Sequence, residues 1–159
     1  FLNDQFTVDE KKRNFDFYEP MTVHESSLSA CIHSIIAAEI GEEDKAVNLY
    51  ERTARLDLDN YNNDTDDGLH ITSMSGSWLA IVQGFAGMRH QNGALSFKLF
   101  CPQNWSSYQF KINFRGRLLA VKVGHETSQL TLLSGPSLKL KVNEQSIVLN
   151  EQQELTVNN

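Results

Sequence analysis

The sequence predicts an α-plus-β chain in two parts: an array of antiparallel helices over residues 1–92, then a small antiparallel β-sandwich of jelly-roll type over 93–159. Three observations predict it. Apolar residues recur at helical spacing before Gly93 and alternate after it. Helix stop and start signals stand side by side in the first part, Gly41 followed by Glu42 and Glu43. Turn residues recur at short, even intervals in the second part, at Pro102, Gly116, Gly124, Gly135-Pro136 and Asn143-Glu144.

The opening stretch, FLNDQFTVDEKKRNF, turns polar at once, and Phe1-Leu2 suits the end of a helix already under way. With no initiator Met, the chain reads as a piece of something longer. Lys11-Lys12-Arg13 lies beside Asp9 and Glu10, which reads as a solvated turn. Leu28, Ile32, Ile35, Ile36 and Ile40 then form one helical stripe that Gly41 should cap. A second helix opens at Glu42-Glu43, carries Ala46, Leu49, Tyr50, Thr53 and Ala54, and ends in Arg52 and Arg55, charges that suit its dipole. A third runs from about Ser73 to Met88 with Met74, Trp78, Ile81, Val82 and Phe85 on one face.

The loop between the second and third helices, RLDLDNYNNDTDDG, resembles a calcium loop only in composition. With Gly68 set at the turn glycine, Asn63, Thr65 and Asp67 occupy ligand positions, but Met74 stands where a bidentate Glu is required. An Asn/Asp-rich loop bonding its own backbone is the reading kept. Beyond Leu95 the pattern is β: LSFKLF, QFKINFRG, RLLAVKVG, SQLTLLSG and SLKLKVNEQSIVL follow in turn, and EQQELTVNN adds one strand.

Bulk properties exclude several classes of function. A formal charge of -6 argues against a general nucleic-acid binder, because phosphate backbones demand clustered Lys and Arg. No apolar run reaches the roughly 18 residues of a membrane helix, and no signal peptide opens the chain. Cys31 and Cys101 read as separate buried thiols, which fits a reducing cytoplasm. No nucleophile elbow, Walker A sequence or zinc-type Cys/His spacing is present.

Two helix starts share an unusual chemistry. HESSLSA places His24, Ser26, Ser27 and Ser29 at one, and HITSMSGS places His70, Thr72, Ser73, Ser75 and Ser77 at the other. Hydroxyls are preferred N-caps, so one or two at each start need no function. The second reading rests on electrostatics: unpaired N–H groups and the positive dipole end bind anions, hydroxyls add donors, and His adds a charge-assisted one. If both starts face one cavity, they hold a phosphate between them.

FYEPMTVHESSLSACIHSIIAAEIG, with RTARLDLDNYNNDTDDGLHITSMSGSWLAIVQGFAGMR, closely resembles the C-terminal part of the family 65 glycoside phosphorylases, over about residues 15–90. The β-rich tail looks like that family's last module, and DNYNNDTDDGLHITSM looks most like the maltose phosphorylases. The resemblance implies the terminal helices of a catalytic (α/α)6 barrel followed by a jelly-roll module. It implies inverting phosphorolysis of maltose to β-D-glucose 1-phosphate and D-glucose, with inorganic phosphate as substrate and no cofactor or metal. It also implies a cytoplasmic homodimer. Carried over by motif, phosphate contacts fall to His70, Thr72 and Ser73, then to Ser26 and Ser27, with His24 contacting phosphate or supporting the others; His33 is read as structural. The family's general acid Glu and a sugar-contacting Lys-Gln pair belong to an earlier part of the barrel. The chain alone is therefore expected to be inactive, and to work with the preceding part of the enzyme. The rival readings are a stand-alone carbohydrate-binding module, with Trp105 and Tyr108 stacking on sugar, or a structural dimerisation module.

Overall fold

The computed structural model describes residues 5–159, so the reading of Phe1-Leu2 lies outside the described residues. Two compact units divide the chain between Gly84 and Phe85, ahead of the change of periodicity near Gly93.

The first unit is helical. α1 spans Val8–Tyr18, where a solvated turn was expected. Thr7 explains the difference: its hydroxyl accepts from the Glu10 backbone while the Glu10 carboxylate accepts from the Thr7 N–H, a complete capping box. The basic cluster lies on this helix; Lys11 pairs with Glu39 at 2.6 Å and Lys12 with Glu42, and Arg13 is exposed. α1 stops at Tyr18, and a 3-10 turn at Glu19–Met21 that contains Pro20 follows.

α2 spans Ser29–Ile40 and stops at Gly41, whose φ of 82° places it in the left-handed region that favours glycine. α3 spans Glu43–Ala54, with Glu43 and Asp44 in its first turn and Arg52 in its last. α4 spans Ile71–Leu79 and widens into a π-helical stretch, Ala80–Phe85. The third helical segment thus starts and stops earlier than periodicity suggested. Its packed face also differs. Met74 and Trp78 are about half exposed, while Ser73, Gly76, Ala80 and Val82 are buried. Likewise the packed side of α2 is Ala30, Cys31, Ser34, Ile35 and Ala37, not the whole Leu28–Ile40 stripe. The reason is close approach: a Cβ on Gly76 would lie 2.9 Å from Cys31 Cβ and Sγ, and 3.3 Å from Thr53 Cγ2. Ser34 and Ser73 reinforce the contact by donating to the α3 carbonyls of Ala46 (2.8 Å) and Thr53 (2.7 Å).

The second unit is a sandwich of two four-stranded sheets. One has the order β1 (Arg89–Gln91), β2 (Ala94–Phe97), β6 (Leu138–Val142), β7 (Gln145–Leu149). The other has β3 (Tyr108–Phe114), β4 (Arg117–Val123), β5 (Thr127–Ser134), β8 (Glu154–Asn158). All pairs are antiparallel except β2 with β6, a parallel pair that alternation alone does not reveal. Leu95, Phe97, Leu140 and Val142 from one sheet and Phe110, Leu119, Val121, Leu130 and Leu132 from the other are buried. Phe97 and Phe110 meet between the sheets at 6.4 Å. Three hairpins turn on left-handed pairs, Asn92-Gly93, Arg115-Gly116 and Asn143-Glu144, the geometry that matches strand twist.

Trp105 and Tyr108 pack with their own unit: Trp105 lies 4.9 Å from Phe85 and 5.9 Å from Tyr108. The Tyr108 hydroxyl donates to the Phe100 carbonyl, and burial pushes its pKa well up. These rings support the sandwich rather than a sugar platform. Both cysteines are buried thiols outside any disulfide. Among the described residues no helix is long and apolar enough to cross a membrane.

Gly76→Ala sets two effects against each other. Alanine favours an exposed helix by about 1 kcal/mol, while overpacking costs roughly 1–3 kcal/mol. With Cys31 and Thr53 already in contact, overpacking dominates, and denaturant unfolding should show net destabilisation of about 1–2 kcal/mol.

Candidate oxyanion site

Neither polar helix start spends its hydroxyls on side-chain capping. Leu28 precedes α2 and His70 precedes α4, and neither side chain caps the helix it begins. Ser26 makes a turn instead: its carbonyl accepts from Ser29 N–H at 3.0 Å and its Oγ from Leu28 N–H at 3.4 Å. Capping by the residue that precedes each helix therefore accounts for none of these hydroxyls.

The fold brings the two starts together. Ser27 Oγ and Thr72 Oγ1, 45 residues apart in sequence, lie 2.7 Å from each other. Ser26 and Thr72 are exposed and Ser27 is half-buried, so these hydroxyls are open to a ligand. The HESS turn is held from beneath. Arg52 of α3 donates to the His24 carbonyl at 3.0 Å, and its guanidinium lies over the Tyr61 ring. Asn62 donates to the Glu25 carbonyl at 3.1 Å. His24 itself has φ of 55°, a left-handed conformation uncommon for a residue with a side chain. The loop that supplies Asn62 is organised by Asn60, whose Oδ1 accepts from Asp64 N–H, Thr65 N–H and the Thr65 hydroxyl. That is the self-bonding Asx loop expected from composition.

His70 is clamped by a residue that the sequence did not single out. Asp57 Oδ2 accepts from the His70 backbone N–H at 2.8 Å, and Asp57 Oδ1 lies 2.6 Å from His70 Nδ1. Asp64 sits 3.4 Å from Nε2, an ion-pair neighbour only. The Asp57 bond raises the His70 pKa, and the same bond lowers that of Asp57. The stabilising contribution of His70 is complete below about pH 6.5 and is lost as pH rises through its raised value. That of Asp57 is complete above about pH 4 and is lost as pH falls through its lowered value. The pair thus contributes most between these limits.

The remaining candidates are placed differently. The Ser73 hydroxyl is buried and committed to the Thr53 carbonyl, while Ser75 and Ser77 donate back to Ile71 and Ser73 carbonyls of their own helix. His24 is buried, with Nδ1 2.9 Å from Ser29 Oγ, Nε2 3.6 Å from Glu19 Oε1, and its ring edge-on to His33 at 4.7 Å. Burial, with His24 beside it, holds the His33 pKa below its ordinary range. The structure therefore joins Ser27 to Thr72, keeps Ser26 beside them in the same turn and His70 at the head of α4, and turns Ser73 and His24 inward. Asp57, Arg52 and Asn62 support the site; the only sequence signal for Asp57 was its place in the LDLDN run.

Asp57→Asn should return the His70 imidazole toward an ordinary value of about 6.5, followed by proton NMR titration. A His70 titration that stays raised in the variant would locate the cause elsewhere.

Comparison with known proteins agrees with this arrangement of units. Residues 1–79 match the glycosyl hydrolase family 65 central catalytic domain, and residues 88–149 match the glycosyl hydrolase family 65 C-terminal domain. The maltose phosphorylase of Bacillus subtilis (strain 168) is 60% identical over 148 residues, covering 93% of this chain and 20% of that protein. The alpha,alpha-trehalose phosphorylase of Geobacillus stearothermophilus is 44% identical over 148 residues, covering 92% of this chain and 19% of that protein. A solved structure from human microbiome, named for kojibiose phosphorylase, superposes with a TM-score of 0.91 at 39% identity, over 99% of this chain and 23% of that one. The chain spans about a fifth of the length of these relatives. It belongs to glycosyl hydrolase family 65, with part of the central catalytic domain in its helical unit and the C-terminal domain in its β unit.

Proposed function

We propose that this chain is the C-terminal part of an inverting disaccharide phosphorylase, and that its two polar helix starts hold the attacking phosphate. The observation that carries the proposal is the 2.7 Å contact between Ser27 and Thr72, which sets two helix amino ends and their hydroxyls against one another. A phosphate oxygen entering between them would replace one weak hydroxyl pair with several donors to an anion. The 60% identity to a maltose phosphorylase supports maltose as the disaccharide.

In such a reaction a general acid protonates the glycosidic oxygen while a phosphate oxygen attacks the anomeric carbon from the opposite face. The C–O bond to the leaving glucose breaks as the bond to phosphate forms, giving β-D-glucose 1-phosphate and D-glucose. Phosphate is already a nucleophile, so this side of the sugar needs an anion cradle and no second carboxylate. His70 would supply the charge-assisted donor from Nε2, displacing Asp64, while Asp57 fixes the proton on Nδ1. Ser26, Ser27 and Thr72 would contribute neutral donors. Ser73 contributes by fixing α4 on α3 rather than by touching phosphate. Glu25 follows His24 in the phosphate-side turn, so the acid is assigned to the part of the barrel preceding this chain. No cofactor enters the scheme, and the working form is proposed to be a cytoplasmic homodimer of the longer enzyme.

In an enzyme containing this chain, His70→Ala should lower kcat/KM for phosphate by about 1.5–3 kcal/mol, roughly tenfold to a hundredfold. Ser27→Ala should cost about 0.5–1.5 kcal/mol in the same parameter. Phosphate kinetics unchanged in folded variants would remove these groups from the cradle. The pH profile adds a sign: activity that needs the imidazolium falls as pH rises through the His70 value, and Asp57→Asn should move that limb to lower pH.

A further inference from the structure

Beneath the HESS turn lies a second group of side chains that the phosphate scheme does not use. Glu19 heads the 3-10 turn after α1, His24 sits in the turn itself, and His33 lies on α2. One ligand atom from each falls within 4.8 Å of the other two. Two of the nitrogens are anomalous. His24 Nε2 and His33 Nδ1 are buried and have no hydrogen-bond partner. Buried polar atoms are almost always satisfied, and two unsatisfied imidazole nitrogens in one cluster call for a ligand. His24 is only 9% exposed, so bulk water does not serve its ring.

The surroundings suit a metal ion. His24 Nδ1 is held by Ser29 Oγ at 2.9 Å, which fixes the ring and leaves Nε2 toward Glu19, the outer-shell arrangement typical of ligating histidines. Glu19 gives its other oxygen to Lys45 at 2.9 Å, and Lys45 is partly in solvent. The left-handed backbone at His24 costs free energy and persists only if something over-determines it. A neutral imidazole near pH 7 offers a lone pair, and two imidazoles with one carboxylate are a borderline donor set suited to Zn2+, with water completing four-coordination.

We propose that Glu19, His24 and His33 bind a single Zn2+ ion, which clips the end of α1 and the HESS turn to α2. The ion is structural: it fixes the turn from which Ser26 and Ser27 project and takes no part in bond making. Zinc-type spacing is absent from the sequence because the ligands come from three elements that only the fold gathers.

The test is titration of the chelator-treated chain with Zn2+ by calorimetry, and with Co2+ by visible absorption. To silence surface sites, His90 and His125 are replaced by Gln in all samples. One ion per chain is expected, together with the intense Co2+ bands of a four- or five-coordinate site. Glu19→Gln and His33→Gln should each weaken binding by about tenfold or more. Should His33→Gln lose its far-UV circular dichroism, the isosteric Glu19→Gln decides. Absence of Zn2+ binding, or binding that Glu19→Gln leaves unchanged, would overturn the proposal, whatever the phosphate kinetics show.

Discussion

Gly76 is where the helical unit is decided. The side chain it lacks would occupy the space of Cys31 and Thr53, so α4 can press against α2 and α3 only because a hydrogen stands there. Buried bonds from Ser73 and Ser34 to α3 carbonyls fix the same contact from two directions. With α4 seated, its amino end stands beside the turn that opens α2, close enough for Thr72 to meet Ser27. Residues far apart in the chain thus become neighbours through packing of small side chains, and the hydroxyl pair inherits its precision from that packing.

Around this contact the electrostatics are divided. Asp57 holds His70 by backbone and ring together, which fixes the direction of the imidazole and keeps it protonated over a wider pH range. The carboxylates of Asp57 and Asp64 also offset the imidazolium charge, so the site does not attract an anion by net charge alone. In the proposed scheme, helix amino ends, oriented hydroxyls and one charge-assisted donor would do so together. The acid-rich loop earns its place by geometry: Asn60 gathers the turn, and Asn62 reaches the carbonyl of Glu25.

Much of this was legible in the sequence, and the exceptions have physical reasons. Gly41 as a cap, the acidic opening of α3 and the alternation of the strands follow from local backbone chemistry, which sequence carries directly. The packed faces of α2 and α4 are legible only in part: Ile35, Val82 and Phe85 are buried as periodicity predicts, but Leu28, Met74 and Trp78 are exposed, because the close contact is made by small residues such as Gly76, Ser73, Ala30 and Cys31. The helix α1 was hidden by its charges, of which Lys11 pairs with Glu39 of α2 and Lys12 with Glu42, while Arg13 stays exposed. Ser26, Ser27, Thr72 and His70 could be named from the repeated His-hydroxyl pattern. Asp57 and Glu19 could not: the partner of Asp57, His70, lies 13 residues away, and Glu19 meets His24 and His33 only once the fold gathers three elements.

A structure of an enzyme containing this chain, determined with phosphate bound, tests the central claim most directly. The account predicts an oxyanion between the two helix amino ends, accepting from Ser27 Oγ, Thr72 Oγ1 and His70 Nε2, with Ser27 and Thr72 no longer bonded only to each other. Phosphate bound elsewhere, with the 2.7 Å hydroxyl pair intact and Asp64 still beside His70, would contradict it.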